Sequence, residues 1–236
     1  MRLAGHVVRE TLDLVRSHVK PGVTTLDLEK VAAKHIASRG AKPAFKGYHG
    51  YPCVLCTSVN SEVVHGIPSS KRVLKEGDVV SVDCGAVIGG YYGDSAITVP
   101  VGEIDPETAR LLKVTEASLY AAINVVRPGA TLGDVGAAVQ GMVEAEGFSV
   151  VREFVGHGIG SQMHEDPQVP NYGKAETGMK LREGMVIAIE PMVNAGKPDV
   201  EVLRDGWTAI TVDGSMSAHF EHTVAVTAAG AKILTE

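Results

Sequence analysis

A block of motifs occurs twice in this chain at one fixed offset, and that repetition constrains the fold more than any other feature. Val19-Lys20-Pro21-Gly22 recurs 107 residues later as Val126-Arg127-Pro128-Gly129. At the same offset Thr24 and Asp27 match Thr131 and Asp134, and Gly40 matches Gly147. Leu74-Lys75-Glu76-Gly77 likewise matches Leu181-Arg182-Glu183-Gly184. Each Thr-x-x-Asp reads as a helix start related to the capping box, in which the Thr hydroxyl accepts an orphan backbone N–H. Each glycine marks where that helix should stop. Past the last matched turn comes a short apolar strand ending in an acid: Val79-Val80-Ser81-Val82-Asp83, then Val186-Ile187-Ala188-Ile189-Glu190. The period is far too long for a solenoid. It predicts one α+β unit used twice and packed face to face, with halves of roughly 1–107 and 108–236 forming a single domain.

Within each half the expected order is helix, Pro-Gly turn, helix, strands. Leu3, Val7, Val15 and Val19 give the first helix an apolar stripe, and Leu28, Val31 and Ile36 do so for the second. Strands are expected at Val79–Val82, Ile97–Val101, Val186–Ile189, Thr208–Val212 and Thr223–Val226, separated by turns such as Gly89-Gly90 and Ala195-Gly196-Lys197-Pro198. With 28 acids against 22 Lys and Arg the net charge is -6, so no basic stripe exists to meet nucleic acid or an anionic membrane. No apolar run reaches the length of a spanning helix, and His6 and Arg9 interrupt any signal-peptide core. Three cysteines give no disulfide framework and suit a reducing, cytoplasmic setting.

The repeat also predicts chemistry. Asp83 and Glu190 end equivalent strands, so a pseudo-twofold brings them toward one cleft between the halves. A second pair follows: Asp94-Ser95-Ala96-Ile97-Thr98-Val99 resembles Glu221-His222-Thr223-Val224-Ala225-Val226 at an offset of 127, which implies an insertion of about 20 residues around Asp199 to Asp213. Like charges a few ångströms apart drive carboxylate pKa values up. Two divalent cations compensate four carboxylates. Imidazoles are at hand: His157 in Gly156-His157-Gly158-Ile159-Gly160, His164 before Glu165-Asp166-Pro167, and His65 closing Glu62-Val63-Val64 before Gly66. Taken singly, Asp94 reads as a turn former, Glu190 as a strand-end charge and His157 as a satisfied polar residue. Only their symmetric arrangement favours a metal site. Carboxylates with one imidazole suit Mn, Fe(II) or Co, with Zn as the alternative, and two such ions suit hydrolysis of an amide or ester.

Val82-Asp83, Gly93-Asp94, Gly156 to Gly160, Ile189-Glu190-Pro191-Met192 and Phe220-Glu221-His222-Thr223 resemble, in order, the five metal-ligand motifs of methionine aminopeptidases. The stretches Asn60 to Pro68 and His164 to Gln168 resemble that family's two catalytic-histidine motifs. The resemblance implies the pita-bread fold, two pseudo-twofold-related α/β halves with a central antiparallel sheet covered by helices. It implies that Asp83 serves one metal, His157 and Glu190 the other, and that Asp94 and Glu221 bridge both. A bridging water or hydroxide would then attack the carbonyl of an N-terminal methionine. His164 would hold the oxyanion, His65 would contact the scissile amide, and Glu190 would shuttle protons. About 20 residues separate Pro170 from Glu190, which leaves no room for the helical insertion of the family's second type and favours the bacterial-like type I. The implied substrates are N-termini of nascent polypeptides near the ribosome, and a monomer is expected.

The same resemblance places Phe45, Tyr48, Tyr51, Cys56 and Trp207 against the methionine side chain. Bacterial relatives commonly carry a small residue or Cys near position 45 and an aromatic near 163. Here the two are Phe45 and Met163, so the aromatic wall changes sides. Cys53-x-x-Cys56 lacks a second pair and reads as pocket or core cysteines rather than a redox or zinc motif. Met1 to Gly5 resembles the middle of the family's first helix, which leads one to expect a preceding segment of about ten residues. Two other readings compete: a proline-directed pita-bread hydrolase, and a binding module that has kept the fold without the metals.

Overall fold

Thr24 and Thr131 each open a helix with a complete capping box: the Thr hydroxyl accepts from the backbone N–H of Asp27 or Asp134, and that Asp carboxylate accepts from the Thr backbone. The helices end before Gly40 and Gly147, whose φ of 67° and 79° lie in the left-handed region that favours glycine. The computed structural model describes residues 1–236. Helices α1 (Arg2–His18) and α2 (Thr25–Ser38) precede strands β1 (Lys42–Pro43), β2 (Leu55–Val59), β3 (Glu62–Val64), β4 (Val79–Ile88) and β5 (Tyr91–Pro100). Helices α3 (Pro106–Val125) and α4 (Leu132–Ala145) lead into β6 (Ser149–Val150), β7 (Gly156–Gly158), β8 (Glu165–Val169), β9 (Val186–Ile189) and β10 (Met192–Asn194). The chain closes with β11 (Val200–Val202), β12 (Ala209–Thr211), β13 (Ser217–His219), β14 (Glu221–Thr227) and β15 (Gly230–Ile233).

The repeated motifs make repeated contacts. Gly22 N–H donates to the Leu74 carbonyl at 2.8 Å, and Gly129 N–H donates to the Leu181 carbonyl at 2.9 Å. Thr24 bridges to Val73 as Thr131 bridges to Lys180. A nine-stranded sheet runs β1-β4-β5-β14-β9-β7-β8, with β2 added on β4 and β15 on β14. At its centre β5 and β14 pair antiparallel, Ser95 opposite His222 and Ala96 opposite Glu221. Ser95 and His222 are themselves equivalent at the offset of 127, so the local twofold passes between these two strands.

Helices of each half cover that half of the sheet. One core cluster joins α1 and α2 residues such as Leu12, Leu28 and Ile36 to Val80 and Val82; the other joins Leu111, Leu119 and Val139 to Ile187 and Val224. The expected stripe of α1 needs one correction. Leu3 is 69% exposed, and Ala4, Val8 and Leu12 face the core instead. The reason is close approach: a Cβ on Gly93 in β5 would lie 2.7 Å from the Gly5 nitrogen, so small residues must meet there. The inserted residues form β11 and β12, and β12 pairs with β3. Trp207, in the turn between β11 and β12, reaches Tyr51 and His65 at ring-centroid distances of 5.1 and 6.5 Å.

Candidate active site

Strand register sets the acids. Asp83 on β4 lies opposite Ala96 on β5, and Ala96 lies opposite Glu221 on β14, so the two acids flank one alanine across three strands. Asp94 is two residues from Ala96 along β5 and therefore shares its face. Glu190 follows the end of β9, which pairs with β14 on the far side. His157 comes from β7, the next strand. The backbone is held in place from both halves: Thr223 Oγ1 accepts from Asp94 N–H at 3.0 Å and donates to the Asp94 carbonyl at 2.8 Å. Ser95 Oγ donates to the Glu221 carbonyl, and Asn171 Nδ2 to that of Glu190.

These groups form the floor of a cavity of about 440 Å³. Every side chain singled out from the sequence lines it: Asp83, Asp94, His157, Glu190 and Glu221; His65 and His164; Phe45, Tyr48, Tyr51, Cys56 and Trp207. Met163 and His49 complete the wall. His49 was not foreseen; its left-handed φ of 48° in the short helical turn Tyr48–Gly50 has no marker in the sequence. His219 was not foreseen either. It is buried with its Nε2 at 3.9 Å from Glu221 Oε2, and the spacing His219-x-Glu221 on extended chain was the available signal.

Charge is concentrated here. Burial pushes the Asp83 carboxyl up to about 7. Burial first, and the neighbouring carboxylates second, hold Asp94, Glu190 and Glu221 well above the usual range. No lysine or arginine lines the cavity. Asp83 Oδ1, Asp94 Oδ1 and Glu221 Oε1 are buried without a hydrogen-bond partner. Buried oxygens of that kind call for a cation, and the donor set of four carboxylates and an imidazole fits divalent metal. Two sets of side chains are close enough to hold an ion: Asp94, His157 and Glu221, and Asp83, His219 and Glu221.

His157 is prepared as a ligand. Its Nδ1 lies 2.9 Å from the Gly158 carbonyl, which fixes the proton on Nδ1 and frees the Nε2 lone pair. Nε2 then faces Glu190 Oε1 at 3.5 Å and Asp94 Oδ2 at 3.9 Å. Burial, then His164, lowers its pKa to about 4, so the ring is neutral. The flanking glycines are obligatory, since a Cβ on Gly156 or Gly158 would lie 2.3 Å from the carbonyl oxygen of Ala188 or Asp166. His65 sits in the left-handed region at φ 61° and packs edge-on to Phe154, 5.4 Å between ring centres. Burial, then His164, lowers its pKa to about 4. His164 Nδ1 meets the Tyr48 hydroxyl at 2.8 Å.

The opposite wall is apolar. Phe45, Tyr51, Cys56 and Met163 form one buried cluster with Ala44, and Trp207 packs against it. Gly85 makes room for the Phe45 ring, which a Cβ there would meet at 2.7 Å. Burial raises the Cys53 and Cys56 thiols, so neither is a ready thiolate.

The chain belongs to metallopeptidase family M24, whose model matches residues 1–228. Within that family it is similar to the methionine aminopeptidases. Methionine aminopeptidase 1 of Bacillus subtilis is 53% identical over 235 residues, covering 100% of this chain and 94% of that protein. Methionine aminopeptidase of Escherichia coli K12 is 47% identical over 236 residues, covering 100% and 89%. The crystal structure of the Thermotoga maritima methionine aminopeptidase superposes with a TM-score of 0.99 at 52% identity, covering 100% of this chain and 95% of that one. The fold is therefore the expected pita-bread fold. Prolidase from Pyrococcus furiosus shares the fold alone, at a TM-score of 0.79 and 22% identity, with this chain covering 62% of its length. No helix is long and apolar enough to cross a membrane.

Proposed function

We propose that this cleft removes the N-terminal methionine from nascent proteins and peptides by metal-dependent hydrolysis, and that the chain is a single catalytic domain built by internal duplication. The observation that carries the reading is the row Asp83–Ala96–Glu221, with Asp94, Glu190 and His157 around it, facing an apolar wall across one cavity. The acids and His157 would hold two divalent ions, Asp83 serving one, His157 and Glu190 the other, with Asp94 and Glu221 available to both. Mn, Fe(II) and Co suit that oxygen-rich set. When bound, such ions supply Lewis-acid polarisation of the scissile carbonyl and lower the pKa of water.

The protein's own groups do the rest. The apolar wall of Phe45, Tyr51, Cys56, Met163 and Trp207 takes the methionine side chain, whose flexible thioether suits aromatic and sulfur surfaces. His164 donates through Nε2 to the developing oxyanion in the tautomer in which the Tyr48 hydroxyl, 2.8 Å away, is the donor to Nδ1. His65, neutral at working pH, contacts the scissile amide. Glu190, at the edge of the acid set with its side chain 14% exposed, carries a proton to the leaving amine. A monomer acting in the cytoplasm on chains leaving the ribosome is the setting that matches these substrates.

Peptides separate this reading from the proline-directed alternative. Cleavage of Met-Ala-Ser without cleavage of Ala-Pro or Met-Pro peptides is the expected outcome. Preferred cleavage before proline would replace the proposal with a prolidase-like one.

A further inference from the structure

We infer that His219 supplies a second imidazole to the metal centre, as a direct ligand of the ion held by Asp83 and Glu221. The inference rests on the divalent-metal reading of the cleft and deepens it. His219 ends β13 and is only 2% exposed, with its Nε2 facing Glu221 rather than solvent. One ligand atom from each of Asp83, His219 and Glu221 lies within 4.8 Å of the others.

The spacing distinguishes ligation from hydrogen bonding. Nε2 of His219 is 3.9 Å from Glu221 Oε2, too long for a hydrogen bond. Two donors each about 2.1 Å from one ion stand at most about 4.2 Å apart, so 3.9 Å fits a shared ion. The same 3.9 Å separates His157 Nε2 from Asp94 Oδ2, which are in the other candidate set. Asp83 Oδ1 and Glu221 Oε1 are orphaned beside His219, as a missing cation would leave them.

The fold also holds His219 for this task. Thr98 Oγ1 accepts from its backbone N–H at 2.9 Å and donates to its carbonyl at 2.8 Å, while Ser81 Oγ holds the same hydroxyl at 2.9 Å. His219 pairs with Met192 across β13 and β10. Its ring does not line the cavity, so ligation by it would leave the substrate side open. Each ion would then carry one nitrogen donor, which shifts the centre toward metals that favour imidazole, such as Fe(II) or Zn, over Mn.

Cobalt(II) added to the chelator-stripped chain tests this, with calorimetry for affinity and X-ray absorption for ligand type. Wild type should bind two cobalt ions and show two imidazoles per pair. His219→Gln should show one imidazole and bind one of the ions at least about tenfold more weakly, the low end of what losing a group around a metal costs. A wild-type count of one imidazole per two ions overturns the inference even if the variant fails to fold. An unchanged imidazole count in His219→Gln overturns it too, including when affinity falls, because the ring would then act only through a neighbour. A wild type that binds no cobalt refutes the metal reading itself.

Discussion

His164 and Tyr48 show how one hydrogen bond selects a chemical state. With the phenol hydroxyl 2.8 Å from Nδ1, the histidine is a donor at Nε2 only if the phenol is the donor at Nδ1. Tyr48→Phe removes that constraint. It should lower kcat by about 10- to 100-fold with little change in KM, as losing a partner that orients a working histidine does; steady-state kinetics on a Met-Ala-Ser peptide reads the split. The resemblance led one to expect Tyr48 against the methionine side chain, and its bond to His164 was invisible because 116 residues separate the partners. Asp94 carries a different signature. Its carboxyl is held protonated by burial, then by Glu221 and Asp83, so the folded chelated chain keeps protons that an unfolded chain releases above about pH 4. The unfolded state then binds fewer protons, and stability falls as pH rises from about 4 through the raised folded values, about 7 for Asp83. Asp94→Asn should therefore raise the melting temperature in EDTA at pH 8, by roughly 2–4 °C per kcal/mol relieved, with no gain at pH 4. Scanning calorimetry at the two pH values checks it.

At the scale of elements, the centre of the sheet depends on a small residue. Ala96 is 1% exposed and stands between Asp83 and Glu221 in neighbouring strands about 4.8 Å apart. Ala96→Leu would fill the gap between the acids. It should abolish tight divalent binding, at least about a hundredfold in affinity, while far-UV circular dichroism stays that of a folded chain; metal titration followed by calorimetry measures the loss. Much of this level was legible from the sequence. The two capping boxes, the glycine stops and the starts of β4 and β9 at Val79 and Val186 all lie where the 107-residue offset puts them. Strand β4 runs on past Asp83 to Ile88 because it pairs with β5 along its whole length, whereas Glu190 does follow the end of β9. What was not legible follows from close packing. Strand β5 begins at Tyr91 rather than Ile97, because Gly93 and Asp94 interrupt any alternation, and Leu3 faces outward because Ala4 and Gly5 must meet β5 and the C-terminal segment.

At the scale of the molecule, the cleft lies at the seam of the two halves, and each half gives it acids. Asp83 and Asp94 come from the first, Glu190 and Glu221 from the second, brought together by the β5–β14 pairing. The ligand-like acids could be read from sequence because symmetry marks them twice. The apolar wall could be read only through family resemblance, since Phe45, Met163 and Trp207 arrive from three unrelated segments and obey no repeat. Neither helix pair touches the chemistry directly; their burial against the sheet fixes the strand register on which the acids depend. The central claim is that these carboxylates hold the metal that performs the hydrolysis. Its most direct test is metal analysis coupled to hydrolysis of Met-Ala-Ser, on wild type and Glu221→Ala after chelation and reloading. The account predicts two divalent ions per chain and restored turnover in the wild type. For the folded variant it predicts fewer ions and turnover reduced at least about a thousandfold, a barrier increase of roughly 4 kcal/mol. Near-normal turnover in Glu221→Ala, or in fully chelated wild type, would contradict it.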